Sequence, residues 1–396
     1  MSFKIQKSLL VTLGALAAFG PMTIDLYLPA FVEIGKDLLV PTEDIQYSLT
    51  SFLAGLSIGQ LIYGPLSDRF GRKIPLLSGI VVFIITSVLI SFVNTLESLV
   101  ILRFIQALGS CVGMVITRAI IRDMFEPRDA AKVFSLVILI MGVAPVIAPL
   151  LGTQILLLFN WRMIFIFLAC FGALTLIGSI FKVPETLKKS VSLKDGFFNY
   201  YYLLKDRQFI IAALVCGSIS AGMFSYIAGS AFVFLNIFKV SAETYPIIFG
   251  ANALGFIVCS QINARLLNNY SIDTILEKAT LFAPLAAGAT FFTIVFDLGL
   301  SVFLVALFCS IGSIGFILPN ITAKALEFQH ARAAVASAMM GCIQFSISSL
   351  GSILVTIFAD GTEWPMVITL FVFNILTFLL YFFGIRFKAE VHSSHI

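Results

Sequence analysis

The sequence predicts an all-α polytopic membrane protein whose twelve transmembrane helices form two six-helix bundles. Three observations carry this. The 396-residue chain is 59% hydrophobic and 12% charged, with a mean hydropathy of +1.04, whereas a soluble domain is about half apolar and about a quarter charged. Its apolar residues fall in continuous runs of about 20, the length of a bilayer-crossing helix, and not in the alternating segments of about 10 that mark a barrel strand. Its cations gather on one side of the membrane once the runs are laid out in order. Lipid offers the backbone no hydrogen-bond partner, so spans without strand alternation must be helices.

In order, the spans fall at about 8–31, 45–66, 74–94, 97–119, 131–157, 161–182, 209–237, 244–266, 274–296, 299–322, 333–358 and 364–386. The first contains Ala15-Leu16-Ala17, which mimics a signal cleavage site, but the run continues to Phe31. That is too long for the apolar core of a signal peptide, so it reads as an uncleaved first helix. The break from Pro184 to Arg207 carries Lys188, Lys189, Lys194 and Lys205. It divides the chain into a bundle over 1–185, a cytoplasmic linker over 186–207 and a second bundle over 208–396. With both termini cytoplasmic, Lys4, Lys7, Arg69, Arg72, Lys73, Arg118, Arg122, Arg128, Lys132 and Lys182 share one side with the cations of that break, Arg207 included. Arg265, Lys278, Lys324, Arg332, Arg386 and Lys388 join them, while Lys36, Arg162 and Lys239 fall opposite and Arg103 lies inside a span. This is the positive-inside distribution, and losing one span would scramble it. The six cysteines lie singly in apolar runs, so neither a disulfide framework nor a zinc site is expected.

Charge is scarce enough that its placement is informative. Gly64-Pro65-Leu66-Ser67-Asp68-Arg69-Phe70-Gly71-Arg72-Lys73 puts an acid and three bases in a short turn between two apolar runs. Gly64 and Gly71 would allow close approach and a sharp turn there. Asp25, in Phe19-Gly20-Pro21-Met22-Thr23-Ile24-Asp25-Leu26-Tyr27-Leu28-Pro29, is the acid inside span 1. An ionisable group at such depth is a functional hypothesis by default, and burial lets a carboxyl exchange its proton near neutral pH. Pro21 and Pro29 can loosen the helix around it. The plainer alternative is an Asp near the outer surface with Tyr27 as an interfacial belt residue. Arg103 cannot shed its proton, so its part would be electrostatic: it stabilises Asp25 or a nearby acid, or it snorkels outward towards Glu97. Arg118 and Arg122 share a helix face and are either structural or substrate-binding.

These patterns carry a resemblance. The G-x-L-x-D-R-x-G-R-K loop resembles the signature of the major facilitator superfamily between its second and third helices. Arg103-Phe104-Ile105-Gln106-Ala107 resembles its R-x-x-Q-G motif, with Ala107 for glycine. Gly142 to Thr153 resembles the antiporter motif of drug exporters, keeping Pro149 and Gly152 but placing Ala148 and Thr153 where glycines are usual. With Asn160-Trp161-Arg162 and Val183-Pro184-Glu185-Thr186-Leu187 around span 6, the chain is most similar to the drug:proton antiporter branch of the bicyclomycin and chloramphenicol resistance exporters. The resemblance implies an internal duplication, faintly visible as Gln60-Leu61-Ile62 against Gln261-Ile262-Asn263, with substrate held between the halves. It implies a conformational latch in which Gly64 and Gly71 shape the loop, Asp68 meets a helix end of the other half and Arg72 pairs with Asp123. It also implies a gate or seal at Pro145, Pro149 and Gly152.

The expected function is therefore proton-coupled efflux of small amphipathic compounds by alternating access. The alternative is dedicated export of one metabolite such as a siderophore or an amino acid. Asp25 and Arg103 would couple the proton, and Tyr27, Gln106, Arg118, Tyr226 and Asn252 are candidate substrate contacts. The proton gradient would supply the energy without any cofactor or metal. The partners expected are a small-molecule substrate, protons and the lipid bilayer of a bacterial inner membrane, with no nucleic acid, and the chain is expected to act as a monomer. No H-E-x-x-H and no intramembrane histidine points to an enzyme.

Overall fold

The protein is described here from a computed structural model covering residues 7–125, 127–187, 200–327 and 333–386. Lys4, Lys188, Lys189, Lys194, Arg332, Lys388, the three histidines and most of the expected linker lie outside the described residues, as do the side chains of Arg128, Lys132 and Arg386. The chain divides into two compact units, Met1–Tyr200 and Tyr201–Ile396.

The first span is built from pieces: α1 (Lys7–Ala17), α2 (Phe19–Asp25), a 3-10 turn at Leu28–Ala30 and α3 (Phe31–Leu38). It bends by 46° between Ala17 and Phe19. Proline explains both interruptions. Pro21 and Pro29 have no N–H to offer the carbonyls of Ala17 and Asp25, and their rings crowd the preceding turn. The rest of the unit is α4 (Gln46–Phe70), α5 (Lys73–Ile90), α6 (Leu96–Met124), α7 (Pro127–Leu158) and α8 (Trp161–Lys182). Helix starts carry their expected caps: Thr95 accepts from Ser98 N and Asn160 from Arg162 N, each satisfying a donor that the helix itself leaves open.

The second unit holds α9 (Arg207–Phe232, continued by a π turn at Val233–Ile237), α10 (Tyr245–Leu266), α11 (Ile272–Val295), α12 (Gly299–Leu326), α13 (Ala333–Ile357) and α14 (Trp364–Tyr381). Asp206 and Ser271 cap α9 and α11. Ten single helices and the bent first pair are long and apolar enough to cross a bilayer. The 32-residue α7 completes the expected twelve.

One local expectation is corrected. The signature stretch is not a turn from Gly64 onward, because α4 continues to Phe70 and only Gly71 and Arg72 lie between it and α5. Gly64 is therefore a helix residue. Pro65 sits inside α4 and leaves the Leu61 carbonyl without its helical donor; the Tyr200 hydroxyl donates to that oxygen at 3.4 Å.

Within the second unit, buried Asn320 on α12 donates from Nδ2 to Asn263 Oδ1 on α10 at 2.7 Å. Such bonds between helices in a membrane contribute about 0.6 kcal/mol on average and up to about 1.7. Asn320→Leu should lower stability in detergent by about 1 kcal/mol, since it strands the Asn263 amide. The double change Asn263→Leu/Asn320→Leu should recover part of that loss, read as the thermal unfolding midpoint of each variant.

Candidate functional site: a broken helix beside a buried arginine

Asp25 ends α2 and is 4% exposed. Among the described residues it has no hydrogen-bond or ion-pair partner. Just beyond it the helical ladder lapses. The Thr23 carbonyl accepts from Arg103 Nη2 at 3.3 Å. The Leu26 carbonyl points at Gly152 so closely that a Cβ there would come within 1.9 Å of the oxygen. Gly152 is thus required by the close approach of α7 to the break in span 1. That contact joins the sequence's antiporter motif to the Asp25 segment. Pro145 and Pro149 lie within α7, about two turns and about one turn before this contact, and the helix runs through both.

Arg103 is fully buried, so it does not snorkel to the surface. Its Nη1 donates to Gln106 Oε1 at 2.6 Å, and Gln106 Nε2 donates on to Ser87 Oγ at 2.7 Å. The guanidinium lies 4.2 Å from the ring centres of both Tyr27 and Phe52, within cation–π range. Its Nε has no partner among the described residues. No hydrogen bond joins it to Asp25, so the expected coupling pair consists of neighbours that are not bonded. Tyr27 and Gln106, expected to touch substrate, are fully buried and bonded to protein. Tyr27 reaches Ser48 Oγ at 3.1 Å. In this structure both contact Arg103, Tyr27 by its ring face and Gln106 by its amide oxygen, and the burial of Tyr27 sets it apart from an interfacial belt.

At the other end of the same helices the signature residues assemble. Arg72, 3% exposed, donates from Nε to Asp123 Oδ2 at 2.8 Å, from Nη1 to Asp68 Oδ1 at 2.5 Å and from Nη1 to Ser67 Oγ at 2.9 Å. Burial works against its charge, but the hydrogen bonds to Asp123 and Asp68 outweigh that and hold the guanidinium firmly protonated. The pairing of Arg72 with Asp123 is the one the sequence pointed to. Arg118 and Arg122 are both exposed, and Arg122 Nη2 stands 3.7 Å from Asp123 Oδ1.

Glu185 was missed as a member of this site. Its carboxylate accepts from the backbone N–H groups of Arg72 at 2.9 Å and Lys73 at 3.1 Å, which places an anion on the N-terminus of α5. Gly71 is needed for two reasons: its φ is +89°, and a Cβ there would meet the Glu185 carboxylate at 2.5 Å. Lys73 Nζ in turn donates to the Ile180 carbonyl at 2.8 Å, closing the C-terminus of α8. The available signal was the Pro184-Glu185-Thr186 segment after span 6, read only as a family mark.

In the second unit Asn252 Nδ2 donates to the Tyr226 hydroxyl at 3.2 Å, and Tyr226 stacks on Phe249. Both polar residues are buried, and the Asn252 Oδ1 is without a partner among the described residues. Gln344 on α13 donates to Ser220 Oγ on α9 at 2.9 Å.

Burial by itself pulls the Glu185 carboxyl upward, but the N–H groups of Arg72, Leu187 and Lys73 outweigh it and hold the group below its ordinary 4.5. A carboxyl depressed in the folded state contributes stability above its unfolded value and loses it as pH falls through the folded one. Thermal stability should therefore decline below about pH 4.5 in the wild-type protein. Glu185→Gln should flatten that part of the profile, as read from melting midpoints across the acid range.

Comparison with known proteins places this geometry in a family. A profile of the Major Facilitator Superfamily matches residues 11–356. The chain is 37% identical over 385 residues to a Bacillus subtilis protein named uncharacterized MFS-type transporter YdgK, covering 96% of each chain. It is 30% identical over 379 residues to the bicyclomycin resistance protein homolog of Haemophilus influenzae, covering 94% of this chain and 95% of that one. It is 28% identical over 248 residues to multidrug transporter MdfA of Yersinia pestis, with 61% of each covered. Among solved structures, the xylose transporter XylE from E. coli superposes with a TM-score of 0.74 at 15% identity, over 96% of this chain and 97% of that one. A broken first helix, a bracketed arginine and a signature loop tied to span 4 thus sit in a multi-pass transporter, and the chain belongs to the Major Facilitator Superfamily.

Proposed function

We propose that this transporter is a proton-coupled exporter of small amphipathic compounds, with Asp25 as the group that takes up and releases the proton. The observation that carries the reading is the placement of Asp25: buried, without a partner among the described residues, at a break in span 1 and beside an arginine held by other groups. A carboxyl with no committed counter-ion is free to change charge when a ligand or a conformational change alters its surroundings. Relatives named for bicyclomycin resistance and multidrug transport support the class of cargo. The proton gradient supplies the energy, no cofactor takes part, and the chain works as a monomer in a bacterial inner membrane with both termini cytoplasmic.

In this reading Asp68, Arg72 and Asp123 latch the cytoplasmic ends of the helices while the cavity is open outward. Pro145, Pro149 and Gly152 seal α7 against the break in span 1. Arg118, Tyr226 and Asn252 are offered to substrate as the two halves exchange access. Both proton and substrate must favour one state over the other, since a ligand with equal affinity for both shifts nothing.

The test is flux in proteoliposomes under an imposed pH gradient, against a panel of cationic dyes, neutral antibiotics and amino acids. Asp25→Asn should lose at least tenfold of pH-driven efflux while retaining substrate counterflow, which needs no net proton movement. Full pH-driven efflux by that variant would refute the proton role. Transport of a single member of the panel would favour the dedicated exporter over the polyspecific one.

A further inference from the structure

Arg162 is one of the few cations that the sequence places on the outer side, where the distribution of positive charge gives it no topological use. Its contacts are nevertheless extensive. Nη1 donates to Asp37 Oδ2 on α3 at 2.5 Å, and Nη2 donates to the Val93 carbonyl at 3.0 Å and Asn94 Oδ1 at 3.3 Å. The guanidinium also lies 4.4 Å from the ring centre of Trp161. One side chain thus gathers the outer ends of α3, α5 and α8. Trp161 reinforces it, donating from Nε1 to Asp37 Oδ2 at 3.2 Å and from its backbone N to Glu33 Oε1 at 3.3 Å. With Asp37 41% exposed, an ion pair of this kind adds little to stability by itself, so its use must lie in what it positions.

A packed column leads inward from it. Trp161 meets Phe165 edge-on at 6.1 Å between ring centres, and Phe165 meets Tyr27 at 5.9 Å. Tyr27 lies against the Arg103 guanidinium at 4.2 Å, and Phe165 lies 5.8 Å from it. Trp161, Phe165, Tyr27 and Arg103 are all essentially buried. Tyr27 sits inside the break of span 1, two residues after Asp25, and Arg103 bonds the carbonyl two residues before it. Span 1 cannot hold that segment through its own ladder, so the segment depends on whatever fixes α3 and the column.

We propose that Arg162, with Trp161 and Phe165, is a positioning device: from the outer surface it fixes the Tyr27–Arg103 bracket, and thereby the setting in which Asp25 exchanges its proton. This rests on the reading of Asp25 given above. Of the elements packed on α2, α1 brings Lys7. The helix α6 brings Glu97, Arg103, Cys111, Arg118, Arg122 and Asp123, of which Arg103 bonds the α2 backbone. The described side chains of α7 include no titratable group. Arg103 is accordingly the charge through which the column can act on Asp25. An arginine is required at 162 because its planar fork reaches Asp37 and the Val93 carbonyl together while it stacks on Trp161, which a lysine cannot do.

The test uses the full chain in proteoliposomes, with Arg162→Ala, Arg162→Lys and Phe165→Leu. Two pH titrations are read: the infrared carboxyl band that Asp25→Asn removes, and the rate of substrate–proton exchange. Arg162→Ala and Phe165→Leu should each shift both midpoints by half a pH unit or more, with Arg162→Lys intermediate. Phe165→Leu, which leaves the surface clamp intact, carries the test if Arg162→Ala fails to insert. Unmoved midpoints with rates falling only in step with melting temperature would reduce the column to a structural role and overturn the proposal. Loss of pH-driven efflux in Asp25→Asn beside unmoved profiles in the other variants would overturn the positioning role alone. Efflux surviving in Asp25→Asn would overturn the reading beneath both.

Discussion

A peptide carbonyl inside a bilayer has no water to turn to, so a helix that lapses there must find another donor or another fit. Several of the polar side chains described above sit where helices lapse or end. Prolines break span 1, and the Thr23 carbonyl takes a bond from Arg103 while the Leu26 carbonyl is fitted against Gly152. Pro65 deprives Leu61 of its donor, and Tyr200 supplies one. At the helix ends, Lys73 serves the Ile180 carbonyl and Arg162 serves that of Val93. In a chain this poor in charge, a single long polar side chain often does two tasks: it closes a backbone gap and ties two helices together.

The same constraint shapes one end of each of the two units, each considered by itself. In the first, Arg72 at the start of α5 pairs with Asp123 at the end of α6. In the second, Asp273 in the first turn of α11 pairs with Lys324 in the last turn of α12. These are the third and fourth spans of each half, with the charges exchanged. The sixth span closes both arrangements: Glu185 follows α8 and accepts from the start of α5, while Tyr381 ends α14 and donates to the Asp273 carbonyl. Both junctions carry an ion pair although their sequences match at few positions. The two junctions differ in what they hold: Arg72 is buried, so losing its partner would leave a costly uncompensated charge, whereas Asp273 is exposed and its pair with Lys324 contributes little by itself.

Much of the architecture was legible in the sequence because membrane helices announce themselves locally. Length, hydropathy and the side on which lysine and arginine fall are properties of short windows, and they located every span. The pairing of Arg72 with Asp123 was legible through the resemblance of the signature loop, which implies an acid at the end of span 4. The remainder was not local. Glu185 reaches Arg72 across 113 positions, and only the fold brings that carboxylate to the start of α5. Gly64 was read as part of a turn because glycine and proline together usually mark one; in lipid the helix continued past both. Arg103 was read as coupling to Asp25 or a nearby acid because its surroundings resemble the R-x-x-Q-G motif. The structure instead gives the arginine to a carbonyl, an amide and two aromatic faces.

That last arrangement has a physical logic. A guanidinium keeps its proton under any condition a cell provides, so burying Arg103 commits the bundle to a permanent positive charge. Had a carboxylate been locked against it, the two would form a closed pair, and protonating the acid would leave the charge uncompensated at a cost of several kcal/mol. Ring faces and carbonyl oxygens compensate the charge without titrating. The cation is thereby stabilised whether or not the neighbouring carboxyl carries a charge. In the coupling proposed here, Asp25 changes its ionisation within range of Arg103's field, and neither state removes the only support of a buried ion. A coupling site needs one group that varies and one that does not, close enough to sense each other and not so tightly joined that only one state is stable.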